Sequence, residues 1–324
     1  MTLELERVDA CNLCGSPRLR QRCELTGALS SARFGLVECV DCGLLFINPR
    51  LSENANLALY DADYFEGRGF DMSVNYGALA GQAALRQRES RAIIDKLALL
   101  RRGQSRSVLD VGCGVGDLLL ELEAAGYTDV TGVELSEHGA RIARQRTRAR
   151  IMVGDLSRLD LSGERFDLIN ATEVVEHVRD PSAFFGKVAE LLAPDGVFVY
   201  STGNARGLYA RVLGKHWPYL HPEGHLFYYS PRTMHRYLEQ AGLASLHPHS
   251  AHSWLRRGLL RAEDEIAFAQ LLYVGQSDHG LKGQIFRAAA RVSRGPVRRA
   301  VNLVVGKYAM PIGVKGSLAS FTRA

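Results

Sequence analysis

The stretch VLDVGCGVGDLL, Val108 to Leu119, constrains the chain more than any other. An apolar run gives way to three glycines in five residues, and an apolar run resumes. Such a turn joins a buried strand to a helix and lets main chain approach a ligand closely. From there on strand and helix patterns alternate. SVLDVG, DVTGVELS, ARIMVGDL, RFDLINAT and GVFVYST read as strands, with DLLLELEAAG, EHGARIARQRTR and DPSAFFGKVAELLAPDG as helices between them. Strands separated by helices of about 10–15 residues imply a parallel sheet covered on both faces. SPRTMHRYLEQAG adds a capped helix, and LASLHPHS reads as a further strand.

The turn's chemistry narrows its ligand. Gly112-x-Gly114-x-Gly116 is tighter than the G-x-G-x-x-G spacing of dinucleotide folds. Glu134 ends the second strand, 22 residues after Gly112, where a carboxylate can accept both hydrogen bonds of a ribose diol. Asp155 follows the third strand, within reach of an adenine edge. Asp110 directly precedes the turn, where a pyrophosphate would be repelled. A cationic or zwitterionic adenosine ligand suits these acids. S-adenosylmethionine carries an ammonium, a sulfonium and no phosphate.

The segments VLDVGCGVGDLL, VTGVELS, GDL, FDLINATEVVEHVRDPSAFF and LLAPDGVFVYST, in that order over about 107–202, resemble the motifs of class I S-adenosylmethionine-dependent methyltransferases. The resemblance implies a Rossmann-like seven-stranded α/β sheet. It implies cofactor contacts at Asp110, Gly112, Gly114, Glu134, Leu135, Asp155, Leu156 and Thr172. Cys113, inside the turn, reads as a small apolar filler. In this fold LASLHPHS pairs with a later antiparallel strand. GSLASFTRA, at 316–324, is the candidate, which makes roughly 252–312 an insertion.

Five of the six cysteines fall in the first 42 residues. Cys11-x2-Cys14 and Cys39-x2-Cys42 form two knuckles, CNLCG and CVDCG, each followed by glycine. Four thiolates from two such turns surround a tetrahedral zinc, and a closed site of this kind holds structure without doing chemistry. Cys23 is spare and is expected to be buried. Residues 1–50 are therefore expected to form a small zinc ribbon, with two strands around the second knuckle. Residues 51–106 read as a helical lid or linker, with Ser52 as a cap. Residues 107–250 are the cofactor-binding core, and 251–324 hold the basic helical insertion and the final strand. The ribbon plus CGLLFINPR…LYDADYF resembles a bacterial methyltransferase subgroup with an N-terminal zinc module.

EVVEHVRDP follows the fourth strand, at the sheet edge where open α/β folds bind ligands. Glu173, Glu176 and His177 stand at i, i+3 and i+4, so a helical turn would place them on one face. His177 has a reference pKa near neutrality and can take a proton from a hydroxyl. The E-x-x-E-H grouping is similar to one in ubiquinone-pathway O-methyltransferases and small-RNA 2′-O-methyltransferases. That similarity implies a divalent cation, Mg or Mn, at Glu173, Glu176 and His177. His221 or His225 of HPEGHLFYYS would supply a fourth ligand. His177, Glu176 and His225 are thus the catalytic candidates. Trp217, Tyr219, Phe227 and Tyr228 either line an acceptor pocket or belong to the core.

Charge separates the ends of the chain. The net charge is +5, yet from His279 onward there are nine Lys or Arg and no Asp or Glu. The main body is mildly acidic, so no nucleic-acid partner is expected. IFRAAARVSRGPVRRAVNLVV mixes Arg with apolar residues. It reads as a helix packed over the pocket, or as a peripheral contact with an anionic membrane. The opening MTLELERVDACNLC has neither a basic start nor an apolar stretch, so a cytoplasmic location is expected. The functional expectation is methyl transfer to a hydroxyl of a small molecule, either a glycan-precursor sugar or an isoprenoid or phenolic lipid. The alternatives are nucleotide-sugar C-methylation, a protein or RNA acceptor, and a non-catalytic cofactor-binding partner protein.

Overall fold

The computed structural model describes residues 4–70, Ser90, Ile94, 107–245, 308–309 and 312–314. The N-terminal part contains β1 (Leu5–Glu6), β2 (Leu19–Thr26), β3 (Arg33–Cys39), β4 (Leu45–Ile47) and β5 (Arg50–Leu51), then the short helices α1 (Glu53–Leu57) and α2 (Ala62–Phe65). The central part runs β6 (Ser107–Val111), α3 (Asp117–Ala124), β7 (Asp129–Glu134), α4 (Glu137–Arg146), β8 (Arg150–Val153), β9 (Phe166–Thr172), α5 (Pro181–Leu191) and β10 (Leu192–Gly203). It continues through α6 (Leu208–Leu213), β11 (Phe227–Tyr228), α7 (Pro231–Gln240) and β12 (Ala244–Ser245). Two short strands close the fold, β13 (Tyr308–Ala309) and β14 (Ile312–Val314).

The main sheet has the order β12-β14-β10-β9-β6-β7-β8, and β13 also pairs with β10. The five strands from β10 to β8 are parallel, while β14 is antiparallel to both β10 and β12. This is the Rossmann-like methyltransferase sheet expected. β6, apolar but for Ser107 and Asp110, lies between β7 and β9 with Val108 and Leu109 fully buried. Side caps set the helix starts: Ser136 for α4, Asp180 for α5, and Ser230 with Thr233 in a capping box for α7. Ser52 caps α1 as expected.

The last strand of the sheet differs from the expectation. The partner of β12 is Ile312–Val314, not GSLASFTRA, whose residues lie outside those described. Ile312 and Val314, β-branched on either side of Gly313, pair with Val199 and Val197 of β10. Of the expected helical segment, 71–106 lies outside the described residues except for Ser90 and Ile94, which are helical, and of the expected insertion 252–307 lies outside them.

The N-terminal sheet has the order β11-β4-β3-β2. Its edge strand β11 comes from the far side of the chain, with Phe227 opposite Phe46 and Tyr228 opposite Leu45. The two sheets therefore share a core. One apolar cluster runs from Cys11, Leu13, Leu44 and Phe46 to Leu109, Ile169, Phe185 and Tyr237. Among the described residues no helix is long and apolar enough to cross a membrane.

Candidate active site

The carboxyl ends of β6, β7, β8 and β9 lie side by side in the sheet. The eight cofactor candidates therefore fall along one edge. Gly112, Gly114 and Gly116 all have positive φ, at 70°, 55° and 85°, a conformation that side chains disfavour. Gly112 has a second reason to lack a side chain, since a Cβ there would lie 2.5 Å from Val174 Cγ2. The E-x-x-E-H segment thus packs directly on the glycine turn. Gly114 N–H donates to Glu134 Oε2 at 2.8 Å, and Ser136 N–H donates to Oε1 at 2.8 Å. Glu134 is buried, which raises its pKa, and these bonds orient it toward the turn. Asp110, 3% exposed, accepts from Asn170 Nδ2 at 2.8 Å. Burial pushes its carboxyl up to about 7; the Asn170 bond opposes that rise and nearby Glu134 adds to it.

The remaining candidates are less enclosed. Asp155 Oδ1 accepts from Ser157 N–H and hydroxyl, and Thr172 donates to Asn170 Oδ1 at 2.9 Å. Leu156 is buried and Leu135 half-buried. Cys113 is buried against Gly132, where a side chain would meet its sulfur at 2.8 Å, and burial raises its thiol pKa. It is filler, as its position in the turn predicts.

The segment 173–177 is not a helical face. It is a turn, and Glu173 has φ 53°, the one positive value at a non-glycine among the described residues. That twist sends Glu173 to Ser201, whose hydroxyl donates to its Oε1 at 2.6 Å. The group able to hold an ion is therefore Glu176, His177 and His225, whose ligand atoms all lie within 4.8 Å of one another. Glu173 is replaced in that set by a histidine from the HPEGH turn.

The tautomer of His225 follows from its partner. His177 Nδ1 lies 3.1 Å from the Gly224 carbonyl, and His225 Nδ1 lies 2.8 Å from the Tyr219 carbonyl. A carbonyl only accepts, so the His225 proton sits on Nδ1 and its Nε2 is left as an acceptor, whereas His177 Nδ1 also meets the Tyr60 hydroxyl at 3.1 Å, which can donate to it. Glu176 is fully buried; Tyr219 hydroxyl donates to its Oε1, while Oε2 has no hydrogen-bond partner. Burial and Glu173 raise the Glu176 pKa well above the usual carboxylate range. Burial, with His177 and His221 nearby, holds His225 well below its own. Glu176, His177 and His225 thus bring their ligand atoms together at a place that suits a cation or a shared proton.

Sequence reasoning missed Tyr60 and undervalued Tyr219. Tyr60 hydroxyl lies 3.1 Å from His177 Nδ1, and its carbonyl accepts from Ser136. Phe65 stacks on His138 at 5.6 Å, and a side chain at Gly139 would meet its ring at 2.6 Å. The aromatic run LYDADYF was the available signal. Trp217, Phe227 and Tyr228 are buried in the core. A cavity of about 670 Å³ beside the second knuckle is lined by Cys42, Gly43, Arg206, Arg211 and Arg232 among others. It shares no lining residue with the Glu176 group.

The four knuckle cysteines converge. Cys11 and Cys42 sulfurs are 3.5 Å apart, as are those of Cys14 and Cys39, and all four lie within 4.8 Å. A tetrahedral zinc with bonds of about 2.3 Å puts its sulfurs about 3.8 Å apart, so the set fits. Gly15 and Gly43, with φ 71° and 80°, close the two turns. Cys23 stands apart and is half-buried.

A family profile described as a methyltransferase domain matches residues 83–247. The ubiquinone biosynthesis O-methyltransferase of Coxiella burnetii (strain Dugway 5J108-111) is 30% identical over 50% of this chain and 66% of its own length. That of Cereibacter sphaeroides is 36% identical over 35% of this chain and 49% of its own. The chain thus spans about half to two thirds of the relatives it matches. Among solved structures, magnesium protoporphyrin IX methyltransferase from Synechocystis PCC 6803, with bound SAH, is 22% identical. It covers 57% of this chain and 89% of its own, with a TM-score of 0.45.

Proposed function

The chain belongs to the methyltransferase-domain family, as a class I S-adenosylmethionine-dependent enzyme, and on that premise we propose that it methylates a hydroxyl of a small-molecule acceptor. One observation carries the proposal. Glu176, His177 and His225 bring ligand atoms within 4.8 Å of one another beside the glycine turn, joined to it by the Val174–Gly112 contact, and Glu176 Oε2 has no hydrogen-bond partner.

Asp110, Glu134, Asp155 and the glycine turn would hold S-adenosylmethionine, which supplies the methyl group when bound. Asp110 offers a carboxylate for the ammonium, and Glu134 for the ribose diol. Bound there, S-adenosylmethionine would supply the methyl group to the acceptor oxygen, and His177 would take the hydroxyl proton. Tyr60 and the Gly224 carbonyl hold the imidazole in orientation for that transfer. Proximity and alignment supply much of the acceleration. Carboxylate and imidazole donors also suit a divalent ion such as Mg or Mn at Glu176, His177 and His225, where it would lower the pKa of the acceptor hydroxyl. The relatives' ubiquinone-pathway name favours an isoprenoid or phenolic acceptor over a glycan-precursor sugar. A structural zinc at Cys11, Cys14, Cys39 and Cys42 completes the proposal.

The test supplies labelled methyl donor with fractionated cell extract, with and without a chelator. Label entering a small hydroxyl compound is expected. Label in protein or RNA alone, or none in any fraction, would overturn it. Loss of turnover in chelator, restored by Mg²⁺ or Mn²⁺, assigns the ion to the site; full turnover in chelator leaves His177 as a plain base.

A further inference from the structure

We propose that Glu223 is a positioning residue that locks the His221–His225 turn of the methyl-transfer site to the β2–β3 hairpin loop of the N-terminal sheet. The proposal depends on the reading above for its kinetic consequence alone. Glu223 is 1% exposed. Its Oε2 accepts from the N–H of Ala28 at 2.7 Å and of Leu29 at 3.0 Å, and its Oε1 accepts from the Ser30 hydroxyl at 2.8 Å. The hairpin loop is shaped around this carboxyl, since a side chain at Gly27 would overlap it.

The main chain on either side of Glu223 carries the histidines. Asn56 Nδ2 donates to the Glu223 carbonyl at 3.3 Å. The next carbonyl, of Gly224, is the one that fixes His177 Nδ1. His225 follows, then Leu226, whose N–H donates to the Glu176 carbonyl at 2.8 Å. Phe227 then enters β11 and pairs with Phe46 of β4. The orientation of both imidazoles is thus set by a turn that the N-terminal sheet holds at two points, one through a strand and one through Glu223. A displacement of about 1 Å at reacting groups is enough to cost roughly 10²-fold in rate.

The donors facing Glu223 are two amides and a hydroxyl, all neutral, so its shape matters more than its charge. A glutamine oxygen at the Oε2 place would accept from both amides, and its NH₂ would donate to the Ser30 oxygen. Alanine would remove all three bonds.

The experiment compares Glu223→Gln, Glu223→Ala and Ser30→Ala with wild type by kinetics, calorimetry of S-adenosylmethionine binding, and amide exchange. Glu223→Ala is expected to lower kcat about tenfold or more while cofactor affinity stays within about twofold. Amides of residues 225–227 should exchange about tenfold faster or more. Glu223→Gln should restore kcat to within about threefold of wild type, and the exchange with it. Should Glu223→Ala fail to fold, Ser30→Ala is expected to shift both readouts in the same direction by about threefold. Wild-type kcat and exchange in Glu223→Ala would overturn the proposal, as would a loss of cofactor affinity in step with kcat. A wild-type enzyme that methylates no hydroxyl would instead sink the functional reading, and the exchange comparison would still judge Glu223.

Discussion

Asp110 puts a titratable switch directly beneath the cofactor turn. Burial, against the Asn170 bond and with Glu134 adding to it, lifts its carboxyl to about 7 from an ordinary 3.8. A folded-state value above the unfolded one means the folded chain holds more protons between the two. The ligand-free protein therefore loses stability from Asp110 as pH climbs from about 4 to about 7. A cofactor ammonium favours the ionised form, so binding should release a proton. S-adenosylmethionine affinity is expected to rise by up to about tenfold per pH unit below 7 and to level off above it. Asp110→Asn should flatten that profile. Calorimetry across pH 5.5–8.5 in two buffers of different ionisation enthalpy measures both effects, and a flat wild-type profile would place the ammonium elsewhere. His177→Ala is expected to leave cofactor affinity intact and lower turnover about 10²-fold, read by single-turnover kinetics. Asp110, Glu134, Glu176 and His177 were legible because motif order fixes them at the ends of strands. Tyr60, Tyr219 and Glu223 were not, because their partners lie 117, 43 and about 195 residues away. No local pattern encodes such pairings.

At the scale of elements, the turn between β6 and α3 is where local conformation and tertiary packing make the same demand. Gly112 needs positive φ and leaves no room beside Val174. Gly112→Ala should therefore push Val174 and with it the Glu176–His177 turn. Destabilisation of about 1–3 kcal/mol is expected, with weakened cofactor binding, measured by denaturant unfolding and calorimetry. The parallel strands were readable because each is an apolar run closed by a glycine or an acid. The E-x-x-E-H face was misread because i, i+3, i+4 spacing suits a helix, whereas Ser201 draws Glu173 into the left-handed region instead. β11 was invisible for another reason. FYY is apolar at every position, so nothing in it selects the N-terminal sheet over the main one. The closing strand was misplaced by a few residues, since short apolar pairs such as Ile312 and Val314 carry little pattern.

Considered as a whole molecule, the chain is not a ribbon tethered to an enzyme. β11 completes the N-terminal sheet, and Leu13, Leu44 and Phe46 share a core with Leu109, Ile169 and Tyr237. Each such side chain contributes about 1.5–3 kcal/mol by leaving water, several times what a surface contact offers. Removing residues 1–50 would uncover that core and leave the His221–His225 turn without its partner strand. The cysteine knuckles tie the same unit together, since Cys39 ends β3 and Cys42 packs in the shared cluster. Unfolding of the zinc-loaded protein should then be a single transition, with near-UV and far-UV signals coinciding. Cys39→Ser, or zinc removal, should lower the midpoint of that one transition and reduce turnover with it. Two separate transitions, or a folded and active protein lacking residues 1–50, would show the ribbon to be an appendage. A single transition that moves with metal content makes the N-terminal sheet part of the wall that holds His177 and His225 of the proposed site.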